Sequence, residues 1–175
     1  MGGLEKVVSV IDRMSEWSGR ATAWLVFALV LLVCYDVAMR YLFQSGSIAL
    51  QELEWHLFAL IFLLGAAYTL KHDEHVRVDL IYAHRRISRK QRAWVNVVGG
   101  LVLLLPFCVL IIYTSWPFMV NAFTIGEGSP DPGGLPYRYL IKAAIPLGFA
   151  MLFIQGIAEV ARNIITLQQP SEIKE

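Results

Sequence analysis

The chain has 175 residues, 57% of them hydrophobic, with a formal net charge of +1 and a mean hydropathy of +0.55. That apolar share lies above the usual range for a water-soluble domain, and the length fits a single domain, 1–175. The near-zero charge gives no electrostatic footprint for nucleic acid or another polyanion. The first 20 residues carry no continuous apolar core, so no cleaved leader is expected.

The first predicted element covers residues 1–19. Leu4, Val7, Val8, Ile11 and Met14 recur at helical spacing with Trp17 beside them, and Glu5, Lys6, Ser9, Asp12, Arg13 and Glu16 fill the rest. The pattern predicts a separate amphipathic helix, too polar to span a membrane, lying along the interface as an anchor or as a brace against a partner subunit. Four apolar stretches follow at about 21–43, 48–70, 93–116 and 139–160. A hydrocarbon core of ~30 Å takes ~20 helical residues, so each is predicted to cross. The expected fold is an all-α integral membrane protein with four transmembrane helices plus the N-terminal interfacial helix.

The first span ends in Asp36 and Arg40, which are i,i+4 and able to pair. The second begins with Glu52, Glu54 and His56, and Glu52 with His56 is a candidate hydrogen-bonded pair. Uncharged cores run for 15 residues before Asp36, 16 after Glu54 and 16 after Lys142. As helices these cover only ~24 Å, so the flanking charges fall at membrane depth. There each costs about 2.5–3.5 kcal/mol on insertion scales unless paired or hydrated. A polar network of Asp36, Arg40, Glu52, Glu54, His56 and Lys142, with Arg138 beside it, is therefore expected to join spans one, two and four.

The connection after the second span holds Lys71, Arg77, Arg85, Arg86, Arg89, Lys90 and Arg92, seven of the 15 basic residues. Its stretch from Ile81 to Trp94 reads as a basic surface segment against anionic headgroups. The segment from Pro117 to Pro136 has no basic residue. The positive-inside rule then puts both termini and the middle loop in the cytoplasm. The third span is uncharged. Gly99 and Gly100 permit close helix approach, Pro106 offers a kink and Pro117 an end. The loop from Thr124 to Pro136 is dense in Gly and Pro and is expected to be irregular. It carries Glu127 and Asp131, which with Arg138 are candidates for docking a partner outside the membrane.

Chemistry of the usual kinds finds no support. Cys34 and Cys108 lie within apolar stretches without metal-ligand spacing. His72 and His75 with Asp73, Glu74 and Asp79 make a weak HxxH cluster with nothing to close it. A haem would need two imidazoles facing each other at one depth, and only His56 lies inside a span. No catalytic, cofactor or metal residues are assigned, no cofactor is expected, and the chain is read as not an enzyme. Nor does it show the inverted pair of broken helices expected of a transporter acting alone.

Three runs carry a resemblance. They are CYDVAMRYLF (Cys34–Phe43), ELEWHLFALIFLLGAAYTLKHDEHVRVDLIY (Glu52–Tyr82) and GEGSPDPGGLPYRYLIKAAIPLGFAMLFIQG (Gly126–Gly156). In this order they resemble the small membrane subunit, the DctQ family, of tripartite ATP-independent periplasmic (TRAP) transporters. The resemblance implies a non-moving scaffold subunit in the bacterial inner membrane. Its partners would be the lipid bilayer, a large membrane subunit that carries substrate and sodium, and a periplasmic substrate-binding protein. The transported solute would be an organic acid or a related small molecule. The alternative reading is a membrane anchor of an electron-transfer complex.

Overall fold

A computed structural model of the chain describes residues 3–74 and 88–168. The helices are α1 (Gly3–Leu42), α2 (Ile48–Lys71), α3 (Arg89–Gly99), α4 (Leu105–Thr124) and α5 (Tyr139–Gln168), with a π-helical turn at Gly100–Leu104 joining α3 to α4. No strand occurs among the described residues. Taken with α3–α4 as one rod, four helices are long and apolar enough to cross a membrane. The HVRVD segment and half of the basic stretch 81–94, residues 81–87, lie outside the described residues.

The break expected between the amphipathic segment and the first span does not occur. α1 is one helix of 40 residues, about 60 Å at helical rise. No proline interrupts it near Ser18, and Gly19 serves packing and not a turn, since a Cβ there would lie 2.1 Å from the Tyr68 ring. Ser18 and Thr22 are buried yet satisfied within the helix, their hydroxyls donating to the Ser15 and Ser18 carbonyls at 2.8 Å each. Such back-bonding lets small polar residues face a packed interior.

The third span also differs from expectation. Pro117 does not end it, since α4 continues to Thr124. The turn before Pro117 is supported by side chains: Thr114 Oγ1 donates to the Leu110 carbonyl at 2.9 Å and Ser115 Oγ to that of Ile112 at 3.3 Å. In hydrocarbon this support lets a helix run through proline, whereas stopping would strand more backbone groups. Upstream of Pro106 the chain widens by one residue per turn, with the Leu105 N–H reaching Gly100 O. The π turn takes up the mismatch that the missing Pro106 N–H creates. At its start, Ser88 caps α3 in a reciprocal box with Gln91.

α5 is the hub, packed against α1, α2, α3 and α4. Ala144, Gly148, Leu152, Gln155, Gly156 and Val160 are buried along it, at the three- and four-residue spacing of one helix face. Small residues set the separations. A Cβ on Gly148 would lie 2.8 Å from the Leu63 carbonyl oxygen of α2. The Gly99–Gly100 pair divides its roles: a Cβ on Gly100 would strike Val160 at 2.6 Å, while Gly99 faces open space. The outer surfaces of α1, the π turn and α4 carry exposed large apolar side chains, among them Phe27, Leu31, Val102, Leu103, Leu110 and Tyr113. A protein with this surface belongs in lipid.

Candidate functional site

Polar side chains concentrate at the two ends of the bundle. One end holds the α1–α2 turn and the α4–α5 loop. The other holds the start of α1, the end of α2 and the end of α5.

At the loop end, Glu52 is the organising residue. It sits in the first turns of α2, only 4% exposed. Its carboxylate accepts from Ser129 Oγ at 2.5 Å and from the Leu135 backbone N–H at 2.6 Å, and lies 3.5 Å from the Arg138 guanidinium. A buried carboxylate with two donors and a cation is compensated for leaving water. The loop it holds is irregular, as its glycines and prolines lead one to expect, and closes on itself. Ser129 N–H donates to Leu135 O at 3.0 Å and Arg138 N–H to Glu127 O at 2.9 Å. Gly133 has a φ of +83°, a conformation that favours glycine. Gly134 leaves room for Glu52 and Ser129, since a Cβ there would lie 2.8 Å from Glu52 Oε2.

The six-membered network expected across spans one, two and four is instead a set of local arrangements. Asp36, fully buried, pairs with Arg40 along α1, and its second oxygen has no hydrogen-bond partner. Lys142 does not reach Glu52 or Glu54. It pairs with Glu127 at 2.5 Å and lies 3.9 Å from the centre of the Phe118 ring. Of the two candidate cations, Arg138 is the one beside Glu52, and it also lies 5.6 Å from the Trp55 ring centre. His56 contacts the backbone of Glu52 and not its carboxylate, Nδ1–H donating to the carbonyl oxygen at 2.5 Å. Glu54 Oε1 is buried without a hydrogen-bond partner. Of the three docking candidates, Asp131 is exposed, while Glu127 and Arg138 are partly covered and paired.

The opposite end carries a second polar cluster that sequence reasoning did not find. Arg162 of α5 binds both oxygens of Asp12 on α1 at 2.8 Å and Glu159 at 2.7 Å. Gln155, fully buried, accepts from Ser15 Oγ at 2.6 Å and donates to Asp12 at 3.1 Å. Asn96 of α3 donates to Asn163 of α5 at 3.2 Å. On the α2 side, Glu16 meets Lys71 at 2.6 Å and His72 at 3.2 Å. The only sequence signal was a glutamine and opposite charges at matching helix ends, and pairing them needs the helices' relative rotation. These contacts turn the polar start of α1 inward, against α2 and α5.

Between the two ends, α1 has no Asp, Glu, Lys, Arg or His from Ala21 to Tyr35, α2 none from Leu57 to Leu70, α3–α4 none from Ala93 to Thr124, and α5 none from Ala143 to Ala158. Among the described residues no three His, Cys, Asp or Glu side chains come together as a metal site would require.

Residues 29–166 match the family described as tripartite ATP-independent periplasmic transporters, DctQ component. The chain is similar to the C4-dicarboxylate TRAP transporter small permease protein DctQ of Vibrio cholerae, 30% identical over 164 residues, covering 82% of this chain and 69% of that protein. It is also similar to the protein of the same description from Pseudomonas aeruginosa, 29% identical over 126 residues, covering 68% of this chain and 58% of that relative.

Proposed function

The chain belongs to the DctQ family of TRAP transporter small permease proteins, a multi-pass membrane family, and we propose that it is the fixed scaffold subunit of such a transporter in the bacterial inner membrane. In this reading a large membrane subunit carries the solute and sodium, and a periplasmic binding protein delivers the solute. The cargo is an organic acid or a related small molecule, in keeping with the C4-dicarboxylates in the relatives' names. Both termini and the basic α2–α3 connection face the cytoplasm, because seven of 15 basic residues lie there and none lies from Pro117 to Pro136. The α4–α5 loop then faces the periplasm, where its exposed Asp131 contributes to the rim that meets the binding protein.

The observation that carries the scaffold role is the separation of the two polar ends by apolar helix. A conducting or alternating-access subunit needs polar groups at mid-depth. Here the charges serve to fasten helices and a loop instead. Reconstitution tests the reading. Vesicles holding this chain alone are expected to take up no dicarboxylate under a sodium gradient. Vesicles holding it with the large subunit and binding protein are expected to do so. Uptake by the chain alone, or full uptake without it, refutes the scaffold role.

A further inference from the structure

A cleft of about 620 Å³ opens between α1, α2 and α5, with Phe107 of α4 also lining it, in the half of the bundle nearest the start of α1. Its walls are apolar, including Val26, Ile61, Phe62, Phe107, Phe149 and Leu152. Of the three hydroxyl-bearing residues that line it, Thr22 and Thr69 are already used, Thr22 Oγ1 donating to Ser18 O at 2.8 Å and Thr69 Oγ1 to Ala66 O at 3.0 Å, which leaves the Tyr68 phenol. A polar ligand would find few partners on such walls. At that end of the cleft, on the same two helices, stand Arg20, level with its last lining residues, and Glu16, Lys71 and His72 just beyond them. Glu16 is held by Lys71 at 2.6 Å, while Arg20 lies 3.6 Å away with 78% of its side chain exposed. That leaves Arg20 as positive charge available at the mouth. Trp17 and Trp24, 75% and 74% exposed, flank Arg20 along α1, as aromatic side chains do at a membrane–water boundary.

We propose that this cleft is a phospholipid site: one acyl chain lies between α1 and α2, and an anionic headgroup meets Arg20, with Lys71 and His72 beside it. The charge at the mouth selects the headgroup, and the dry walls take the chain. A transmembrane helix of a partner is the weaker occupant, because the small residues that would admit a helix are already filled from within. A Cβ on Gly19 would sit 2.1 Å from the Tyr68 ring, one on Gly65 3.6 Å from Thr22, and one on Gly148 2.8 Å from Leu63 O. The inference concerns the membrane-embedded fold and does not depend on the transport reading.

Native mass spectrometry of the full-length chain, delipidated in mild detergent and titrated with palmitoyl-oleoyl phosphatidylglycerol or the matching phosphatidylcholine, tests it. One phosphatidylglycerol is expected to be retained with a preference of roughly fivefold over phosphatidylcholine, the share of one basic side chain near an anionic surface. Arg20→Gln is expected to abolish the preference while both lipids still bind. Ala23→Phe, at an exposed cleft-lining position, is expected to lose both lipids with helical content unchanged by circular dichroism. Equal retention of the two lipids by the unaltered chain overturns the proposal, as does undiminished retention in Ala23→Phe. Should that variant misfold, a photoreactive side chain at position 23, in native membranes from cells producing the full-length chain, decides instead. Cross-linking to lipid supports the site, and cross-linking to polypeptide overturns it.

Discussion

The carboxylate of Glu52 accepts a hydrogen bond from the backbone N–H of Leu135, 83 residues further along the chain, at 2.6 Å. An acidic residue in the first turns of one membrane helix thus holds the loop that precedes another. Hydrogen bonds to a charged group each contribute about 1.5–3 kcal/mol, so this contact is a principal restraint on a segment otherwise rich in glycine and proline.

Glu52→Ala is expected to release that loop, leaving the Leu135 N–H and Ser129 hydroxyl without their acceptor. Limited proteolysis between Gly126 and Arg138 should accelerate, and thermal unfolding in detergent should shift down. Glu52→Gln retains one acceptor oxygen and should fall between the two. Equal cleavage rates in all three proteins would show that the loop's own backbone bonds suffice.

Gly148→Ala forces a Cβ to within 2.8 Å of a backbone oxygen on α2, which a rotamer change cannot relieve. A loss of about 1–3 kcal/mol is expected, in the range for overpacked interiors. Gly99→Ala meets nothing within 4 Å and should be neutral or gain up to about 1 kcal/mol from helix propensity. Paired thermal melts compare the two.

Asp12 and Arg162 form a two-pronged pair between α1 and α5, partly open to solvent. A double-mutant cycle with Asp12→Ala and Arg162→Ala is expected to give a coupling near the top of the range for exposed pairs, about 1 kcal/mol. Gln155→Leu should cost about 1–3 kcal/mol, since it strands the buried Ser15 hydroxyl. Melting temperatures of the four proteins of the cycle, and of Gln155→Leu, provide the measurement.

Asp131 and Glu127 separate the two roles of the α4–α5 loop. Asp131→Lys is expected to lower uptake at limiting binding protein, with partial rescue by excess, and to leave assembly intact. Glu127→Lys should instead impair folding or assembly, because it sets two cations against each other at Lys142. Transport titrations against binding-protein concentration read the first, and co-purification with the large subunit the second. An unaltered titration for Asp131→Lys removes it from the docking rim.

The four apolar runs, their ends near positions 48, 70 and 139, and the irregular loop before α5 were legible in the sequence because each is a local property. Chain length in apolar residues, glycine and proline content and the position of charge need no knowledge of neighbours. The family resemblance was legible for a related reason, since its motifs lie along the chain in order. What only the tertiary structure decided was partnership. Asp36 turns to Arg40, Glu52 to Ser129 and Arg138, Lys142 to Glu127, and Asp12 to Arg162. Spacing alone allowed Lys142 to serve either acidic residue of α2, because helix rotation and the path of a loop choose among charges at one depth. The same holds for α1, whose amphipathic start lies straight on from the span because Gln155, Arg162 and Lys71 of other helices supply its polar partners.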